Sequence, residues 1–421
     1  MGKLDRIINI RNLTAFWFLG LCNNFAYVIM LSAAEDILDK QEGKATNNTD
    51  ETCEVNITSR HCTPVSTGAV LLADIIPTLI IKLTAPFFMH RIPFGVRHLI
   101  VVFAQAASYI IVAFSVDVWM SLLGVVFASI GSGLGEITYM ALASHFSKNV
   151  ISTWSSGTGG AGIFGALAYA GLTEQHLADL SPKTTLLIML IVPVIFAAAY
   201  WILLVMPHSV HLVNIKDPKT WIVPIQSVAS HIQDENSSAT VDLAAKKKLL
   251  LVVPLLKYMI PLGLVYVGEY FINQGLVELI FFNCSHGWDL ARNSQYRWYQ
   301  VIYQLGVFIS RSSVNVIQIK PIFLPLLAVL QGLNAVFFFF DAIYFFVPHI
   351  GIIFVLIIFE GLLGGASYVN TFHGIHQTVA EEYKEFSLGV ATVADAAGIV
   401  LAGFASMPIH NFVCDRPLPK T

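Results

Sequence analysis

The sequence predicts an all-α integral membrane protein with about eleven transmembrane helices arranged in two halves. Of its 421 residues, 56% are hydrophobic and 12% are charged, whereas roughly 25% of the residues of a soluble domain are charged. A chain of this length cannot hide so much apolar surface in one water-soluble core. Its mean hydropathy of +0.69 therefore indicates that most of the chain faces lipid.

Apolar runs long enough to cross a bilayer recur along the chain, since about 20 helical residues span the roughly 30 Å of hydrocarbon. The predicted helices lie near residues 14–34, 66–88, 98–116, 119–144, 151–172, 184–206, 257–282, 297–314, 321–345, 350–378 and 386–409. The first run follows Lys3, Arg6 and Arg11 without a small-residue cleavage site. It is therefore predicted to be a retained helix rather than a signal peptide.

A polar stretch at residues 207–250 divides the chain. It includes Asp234, Glu235 and the run from Lys246 to Lys248, a composition typical of a cytosolic linker. Three parts are therefore predicted. They are an N-terminal six-helix bundle at 1–206 with a polar loop at 35–65, the linker at 207–250, and a C-terminal five-helix bundle at 251–421.

Charge and glycosylation sequons predict the orientation. With the N-terminus in the cytosol, about fourteen Lys and Arg residues fall in cytosolic segments and about eight in the opposite loops, as the positive-inside rule requires. The sequons at Asn47, Asn56 and Asn283 then lie in luminal loops and are predicted to carry glycans. Cys53 and Cys62 share one of these loops, so we predict a disulfide bond between them.

Two short patterns recur in the same order six helices apart. Leu134-Gly-Glu-Ile-Thr-Tyr139 resembles Leu363-Gly-Gly-Ala-Ser-Tyr368, and Ala161-Gly-Ile163 recurs as Ala397-Gly-Ile399. Transporter folds are often built from such repeats. We therefore predict two parallel halves, as in the major facilitator superfamily.

Several classes of function are excluded. The net charge is −3 and Lys and Arg are scattered among loops, so no basic face exists for nucleic acid. The run Gly157–Gly162 matches a dinucleotide-binding pattern, but no strand precedes it; its small residues are predicted to let two helices approach closely. His373 and His376 share a helix without further ligands at metal-binding spacing. We predict neither an enzyme nor a cofactor or metal site.

Five carboxylates fall near the middle of predicted helices, where an ionised group costs about 2.5–3.5 kcal/mol on insertion scales. They are Asp74, Glu136, Glu269, Glu360 and Asp395, with Lys82 and Arg311 nearby. One interpretation is that each carboxylate is a hydrogen-bonded packing group. The other is a charge network that couples protons to a solute, because burial favours the protonated form of a carboxylate.

Polar and aromatic side chains that suit a hydroxylated ligand fall on predicted helices 1, 7, 8 and 10. Glu269 and Asn273 are four residues apart and share a helix face. The start of helix 8 is interpreted either as an interfacial aromatic belt or as a luminal gate, and the amides of helix 1 either bridge helices or bind a solute. The candidate substrate-binding residues are Tyr266, Glu269, Tyr270, Asn273, Gln274, Asn23, Asn24, Tyr296, Arg297, Tyr299, Gln300, Tyr303, Asn370 and His373.

Six segments carry a resemblance to a known family. They are Phe18–Phe25, Val70–Asp74, Trp154–Gly162, Glu269–Gly275, Tyr296–Gln300 and Glu360–Gly365. They resemble the battenin family of late endosomal and lysosomal membrane proteins, whose loss causes juvenile neuronal ceroid lipofuscinosis. The resemblance implies an eleven-helix fold akin to the major facilitator superfamily, lysosomal residence and export of glycerophosphodiesters. The sequence departs from the family in lacking a prenylation box after Cys414 and an acidic dileucine in the linker.

The predicted function is transport of a small solute of the phosphodiester class across a lysosomal or late endosomal bilayer by alternating access, with proton coupling as a further hypothesis. Arg297, Arg311, Lys82 or His373 would meet the phosphodiester anion. One alternative is a non-transporting scaffold that regulates lysosomal trafficking and pH through partners of the linker. The other is a carrier of basic amino acids.

Overall fold

The computed structural model describes residues 3–33, 53–60, 62, 67–89, 92–147, 149–173, 177–213, 217–223 and 250–418. The regular structure in these ranges is helical and includes no strand. The predicted all-α membrane fold is confirmed.

The first half contains six membrane crossings. They are α1 (Lys3–Ser32), α2 (Thr67–Phe88), α3 (Phe94–Ala113), α4 (Val118–Ala143), α5 (Asn149–Thr173) and a sixth made of α6 (Pro182–Ile188), α7 (Ile191–Ala198) and the π-helical turn Ala199–Leu203. The first crossing begins earlier than the predicted residue 14. Its N-terminal extension is held by Arg11, whose Nη2 donates to the carbonyl of Ile202 at 2.9 Å.

The second half contains five crossings. They are α8 (Leu256–Phe271), α9 (Arg292–Ser312), α10 (Leu324–Tyr344), α11 (Ile350–Thr378) and a fifth made of α12 (Glu381–Ala391) and α13 (Val393–Cys414). The last crossing was predicted as one helix, but it is interrupted at Thr392, between α12 and α13.

Nine crossings in the described part of the chain are long and apolar enough by themselves to span a membrane. The other two, α5 and α9, have 25 and 21 residues and pack against each other. Some of their polar residues therefore face each other rather than lipid, as where Arg311 of α9 donates to Thr158 of α5. This explains how helices with weaker hydropathy still complete the eleven predicted crossings.

The halves meet mainly along two helix pairs, α5 with α9 and α2 with α13, and α4 also contacts α12. The α5–α9 contact extends from a hydrogen bond between Asn315 Nδ2 and Ser152 Oγ at 2.9 Å to an apolar cluster that contains Ala166 and Val301. Within the first half, α1 crosses α5 where Gly157 faces the Trp17 carbonyl with no room for a β-carbon. This close approach is the role predicted for the small residues of α5.

Four cysteines at one end of the bundle form two disulfide bonds. Cys53 is bonded to Cys284 and Cys62 to Cys414, with Cα–Cα distances of 5.2 and 6.0 Å. The predicted bond between Cys53 and Cys62 is therefore wrong. The two cysteines are close in sequence, but the fold holds each against a different segment of the second half. We call this the disulfide end, and the opposite end, where residues 207–250 join the halves, the linker end.

Two predicted sequons lie at the disulfide end. Asn56 is exposed and Asn283 is half-buried, whereas Asn47 falls outside the described residues. Asn283 Oδ1 accepts hydrogen bonds from the Ser285 hydroxyl at 3.0 Å and from the His286 backbone N–H at 3.1 Å. Glycosylation of the three residues stays a prediction.

Candidate functional site

A buried lysine joins the two halves toward the linker end. The Nζ atom of Lys82 in α2 lies 2.7 Å from Oε2 of Glu136 in α4 and 3.0 Å from Oδ1 of Asp395 in α13. Lys82 is only 2% exposed. A lysine this deep is stable only when it is paired and hydrogen-bonded, so the same interaction that neutralises it also connects the two halves.

Tyr368 of α11 connects this ion pair to a half-buried arginine. Its hydroxyl donates to Glu136 Oε1 at 2.7 Å, and Arg311 Cζ lies 4.1 Å from its ring centroid, within the range of a cation–π interaction. Arg311 of α9 also donates to Thr158 Oγ1 at 2.6 Å and to the Tyr266 hydroxyl at 2.8 Å. We call Lys82, Glu136, Thr158, Tyr266, Arg311, Tyr368 and Asp395 the interface network.

A second polar group, the acid cluster, lies nearer the middle of the second half. It consists of Glu269, Asn273, Tyr303 and Glu360, all buried. Tyr303 donates to Glu269, and Asn273 Nδ2 donates to Glu360 Oε1 at 2.8 Å. Glu269 Oε2, Glu360 Oε2 and Asn273 Oδ1 have no hydrogen-bond partner among the described residues. Buried acceptors of this kind call for a water or ligand partner.

Two helices contribute to both levels with the same spacing. The residues are eight positions apart in each helix: Tyr303 and Arg311 in α9, Glu360 and Tyr368 in α11. Eight positions correspond to about 12 Å along a helix. The interface network and the acid cluster are therefore two layers, about 12 Å apart along the helix axes.

The predicted charge network is divided between these layers. Lys82, Glu136, Arg311 and Asp395 come together, whereas Glu360 joins the acid cluster. Asp74 lies apart from both, buried, with neither carboxylate oxygen hydrogen-bonded among the described residues. Sequence position gave the approximate depth of each carboxylate but not which neighbouring helix it faces.

A π-helical turn shapes the acid cluster. α8 ends at Phe271, and the chain continues through the π-helical turn Ile272–Leu276 and a 3-10 turn, Val277–Leu279. Such turns are frequent at functional sites. Asn273 Nδ2 still reaches the Glu269 carbonyl at 3.1 Å, as expected for residues four apart. The turn was not predicted, because the apolar pattern of helix 7 continues through it.

The predicted amides of α1 lie in a helix–helix contact. Asn23 Nδ2 donates to the Ser132 carbonyl at 3.1 Å, and the Ser132 hydroxyl donates to Asn24 Oδ1 at 3.3 Å. This is the bridging alternative considered for these residues.

The Tyr266 and Tyr270 rings of α8 stack with centroids 5.9 Å apart.

The start of α9 is mostly buried rather than interfacial. Tyr296 donates to Gln274 Oε1 at 3.1 Å, and Gln300 Nε2 donates to the Asn273 carbonyl at 3.4 Å. Tyr299 is fully buried. These side chains support the π-helical turn from one side, so the aromatic-belt interpretation does not describe them.

The remaining candidates make other contacts. Asn370 Oδ1 accepts from the Ile319 backbone N–H at 2.7 Å, and His373 Nε2 lies 2.8 Å from Gln377 Nε2. Arg297 is half-buried. None of these contacts connects the residue to the interface network or to the acid cluster, and a role in substrate binding stays a prediction for each.

Several network residues were not predicted from the sequence. Thr158 accepts from Arg311, Tyr368 lies at the centre of the network, and Trp154 Nε1 donates to the Tyr368 hydroxyl at 3.4 Å. A signal for Tyr368 was present, because it ends the repeated pattern whose counterpart ends at Tyr139. Tyr368 carries no charge, so the high energetic cost of ions in hydrocarbon gives no reason to select it.

A polar side-chain contact also joins the halves at the linker end. His145 Nε2 lies 3.8 Å from Glu385 Oε2. Nearby, the pKa of Glu381 is lowered because Lys384 donates a hydrogen bond to its carboxylate at 2.5 Å. The linker end is therefore closed by polar contacts as well as by the helix pairs.

Two groups of donor atoms resemble metal-ligand sets. They are Cys62, His410 and Cys414, and Cys53, Cys284 and Asp289. In both groups the two sulfur atoms are joined in a disulfide bond. A thiolate is required to bind a metal through cysteine, so neither group offers a metal site in this oxidised form.

The packing of the acid cluster requires a glycine at position 364. Gly364→Ala is expected to lower the free energy of unfolding by about 1–3 kcal/mol, the usual effect of overpacking. A β-carbon at Gly364 would overlap the carboxylate of Glu269. That carboxylate is buried and accepts from Tyr303, so moving it aside breaks this hydrogen bond. The matched control is Gly332→Ala, where a β-carbon meets no atom within 4 Å and helix propensity favours alanine. Thermal unfolding of the purified variants measures the difference. Equal unfolding temperatures would contradict the tight fit.

Comparisons with known proteins identify relatives over nearly the whole chain. Residues 14–416 match the family described as CLN3 protein. The chain is 45% identical over 410 residues to battenin of Canis lupus familiaris, covering 96% of this chain and 91% of the relative. It is 35% identical over 450 residues to protein btn-1 of Neurospora crassa, covering 99% and 91%.

The fold also resembles a solved structure. A bacterial homologue of the human lysosomal transporter Spinster, in an inward-facing and unoccupied conformation, aligns with a TM-score of 0.55. The alignment covers 94% of this chain and 81% of that chain at 11% sequence identity. At this identity the similarity concerns the fold alone, and it agrees with a bundle of packed membrane-spanning helices.

Proposed function

The chain belongs to the CLN3 protein family, and we propose that it carries a small solute across the membrane of lysosomes or late endosomes. The substrate class that we propose is glycerophosphodiesters. The two helical halves would move against each other and expose a central site to each side in turn. The observation that carries this proposal is the interface network, a set of buried charges shared between the halves.

The ion pairs of Lys82 suit a structure that must open. Lys82 contacts Glu136 in its own half and Asp395 in the other. When the linker end opens, Lys82 keeps Glu136 while Asp395 loses its cation. An unpaired buried charge costs several kcal/mol, so Asp395 then needs a proton or a cation. This exchange is our proposed basis for coupling solute movement to protons.

The two layers offer complementary chemistry for a glycerophosphodiester. Arg311 is half-buried, and its Nε atom is inaccessible and has no hydrogen-bond partner among the described residues. Guanidinium groups bind phosphate oxygens well. The free acceptor oxygens of Glu269, Asn273 and Glu360 suit the hydroxyls of glycerol. The phosphodiester would lie near Arg311 and the glycerol toward the acid cluster.

The disulfide end is proposed to face the lumen and the linker end the cytosol. Disulfide bonds persist in oxidising compartments such as the lumen of the secretory pathway, and the exposed Asn56 lies at the same end. Residues 207–250 would then be cytosolic, where trafficking partners could reach them.

A carrier of basic amino acids is the second candidate. It is favoured by one observation, the two carboxylate oxygens of Glu269 and Glu360 that lack hydrogen-bond partners among the described residues. The guanidinium of a bound arginine would satisfy both. The neighbouring Arg311 weighs against it, because a second cation would be repelled.

The test is uptake of a radiolabelled glycerophosphodiester by sealed vesicles that contain the purified protein. We expect saturable uptake that protein-free vesicles lack, and no competition from excess arginine. Competition by arginine would favour the second candidate. The absence of any uptake would favour a non-transporting scaffold, and accumulation that is indifferent to an imposed pH gradient would remove proton coupling.

A further inference from the structure

A segment that the sequence assigns to the first half is bound to the second. Residues 53–60 and Cys62 lie in the long loop between α1 and α2. Yet Cys53 is bonded to Cys284 and Cys62 to Cys414, both in the second half. The Cys284 backbone N–H also donates to the Glu54 carbonyl at 2.9 Å. The segment therefore crosses the disulfide end of the second half from one bond to the other.

Arg60 fixes this segment between the two bonds. Its guanidinium donates to the carbonyls of Ala342 at 2.6 Å and Ile343 at 2.5 Å, at the end of α10, and its Nε donates to the Arg416 carbonyl at 3.0 Å. α10 ends in a left-handed residue, Phe345, and the last carbonyls of a helix need outside donors. Arg60 supplies them, and partial burial lowers its pKa.

We propose that residues 53–62 form a covalent strap that joins the two halves and limits how far the disulfide end can open. The limit on opening rests on the proposed alternating access. The covalent link between the halves does not depend on it. Each bond forms when two thiols exchange with the disulfide of an oxidising protein, which leaves as a dithiol. The strap is then held by two bonds and by Arg60, so it moves with the second half.

The two connections of the strap to the first half differ in length. Five residue steps separate Cys62 from Thr67, the start of α2, and span at most about 18 Å. With 6.0 Å between the Cα atoms of Cys62 and Cys414, the ends of α13 and α2 stay within about 24 Å of each other. Twenty steps separate Ala33 from Cys53, about 70 Å when extended, so the length of that connection sets a much weaker limit.

The short connection acts on the helix pair that would have to separate. α2 and α13 pack against each other across the halves, and Cys62–Cys414 ties their ends together at the disulfide end. No such bond is described at the linker end, where reversible polar contacts close the halves. The strap therefore restricts opening at one end only.

Cleavage of the chain between the halves tests the covalent joining. A protease site is inserted into the 224–249 segment, and the cleaved full-length protein is run on denaturing gels. We expect one species without reductant and two fragments with it. The Cys22→Ser variant, which lacks the free buried cysteine, should give the same result as the wild type. The double variant with Cys53→Ser and Cys62→Ser should give two fragments even without reductant. Two fragments from the unreduced wild type overturn the strap.

Labelling of a buried position tests the limit on opening. Ala166→Cys is placed in the Cys22→Ser background and treated with a membrane-impermeant maleimide from the disulfide end. Breaking the short connection with Cys62→Ser and Cys414→Ser should raise the labelling rate about fivefold or more, a typical lower bound for coupled equilibria. Breaking the longer connection with Cys53→Ser and Cys284→Ser should leave the labelling rate unchanged. Equal rates in the two variants overturn the limit, even if the gels show the bonds.

Discussion

Glu269→Gln is expected to reduce glycerophosphodiester uptake into sealed vesicles to the level of protein-free vesicles. Glutamine has nearly the same shape, and its Oε1 still accepts the hydrogen bond from Tyr303, so the protein is expected to fold and reach lysosomes. The change removes an ionisable group from the acid cluster and turns the free acceptor Oε2 into a donor. A site that binds hydroxyls through that oxygen then has a mismatched partner, which is costly when buried.

The matched control is Glu381→Gln at the linker end. Its side chain is 82% exposed, so the same chemical change should leave uptake close to wild type. Initial rates are compared at equal amounts of folded protein, checked by size-exclusion chromatography. Uptake by Glu269→Gln at the wild-type rate would remove Glu269 from the mechanism.

The positions of the crossings could be predicted because bilayer thickness imposes them. An apolar run of about 20 residues has few alternatives to a membrane helix, and the eleven predicted runs all correspond to observed crossings. The predicted helix boundaries were wrong where a polar side chain, rather than the apolar run, determines the helix end. Arg11 extends α1, and Thr392 separates α12 from α13.

The candidate site was predicted in composition but not in arrangement. Burial of Glu269 and Glu360 followed from the high cost of ions in hydrocarbon, and both are buried. Which acid meets Lys82 depends on how the helices are rotated and which pairs touch, and one sequence does not contain that information. The disulfide pairing failed for the same reason, because Cys284 and Cys414 are distant from Cys53 and Cys62 along the chain.

Lys82→Met is expected to lower the free energy of unfolding by about 3–5 kcal/mol, the usual effect of removing one partner from a buried ion pair. Glu136 and Asp395 would be left as two carboxylates without a cation, and both are at least nine-tenths buried. The control is Lys257→Met, because Lys257 is exposed at the linker end and surface changes usually stay within about 0.5 kcal/mol. Unfolding of both variants in detergent measures the difference. Equal stability would show that the Lys82 interaction contributes little.

Neutralising the carboxylates as well separates the structural role of Lys82 from its functional role. In the triple variant Lys82→Met, Glu136→Gln and Asp395→Asn, no buried charge lacks a partner, and such replacements are often close to neutral in stability. The amide oxygen of the glutamine that replaces Glu136 can still accept from Tyr368. We therefore expect the triple variant to regain most of the lost stability but no uptake, because the exchange at Asp395 needs an ionisable group. Recovery of uptake together with stability would mean that the network only holds the halves together.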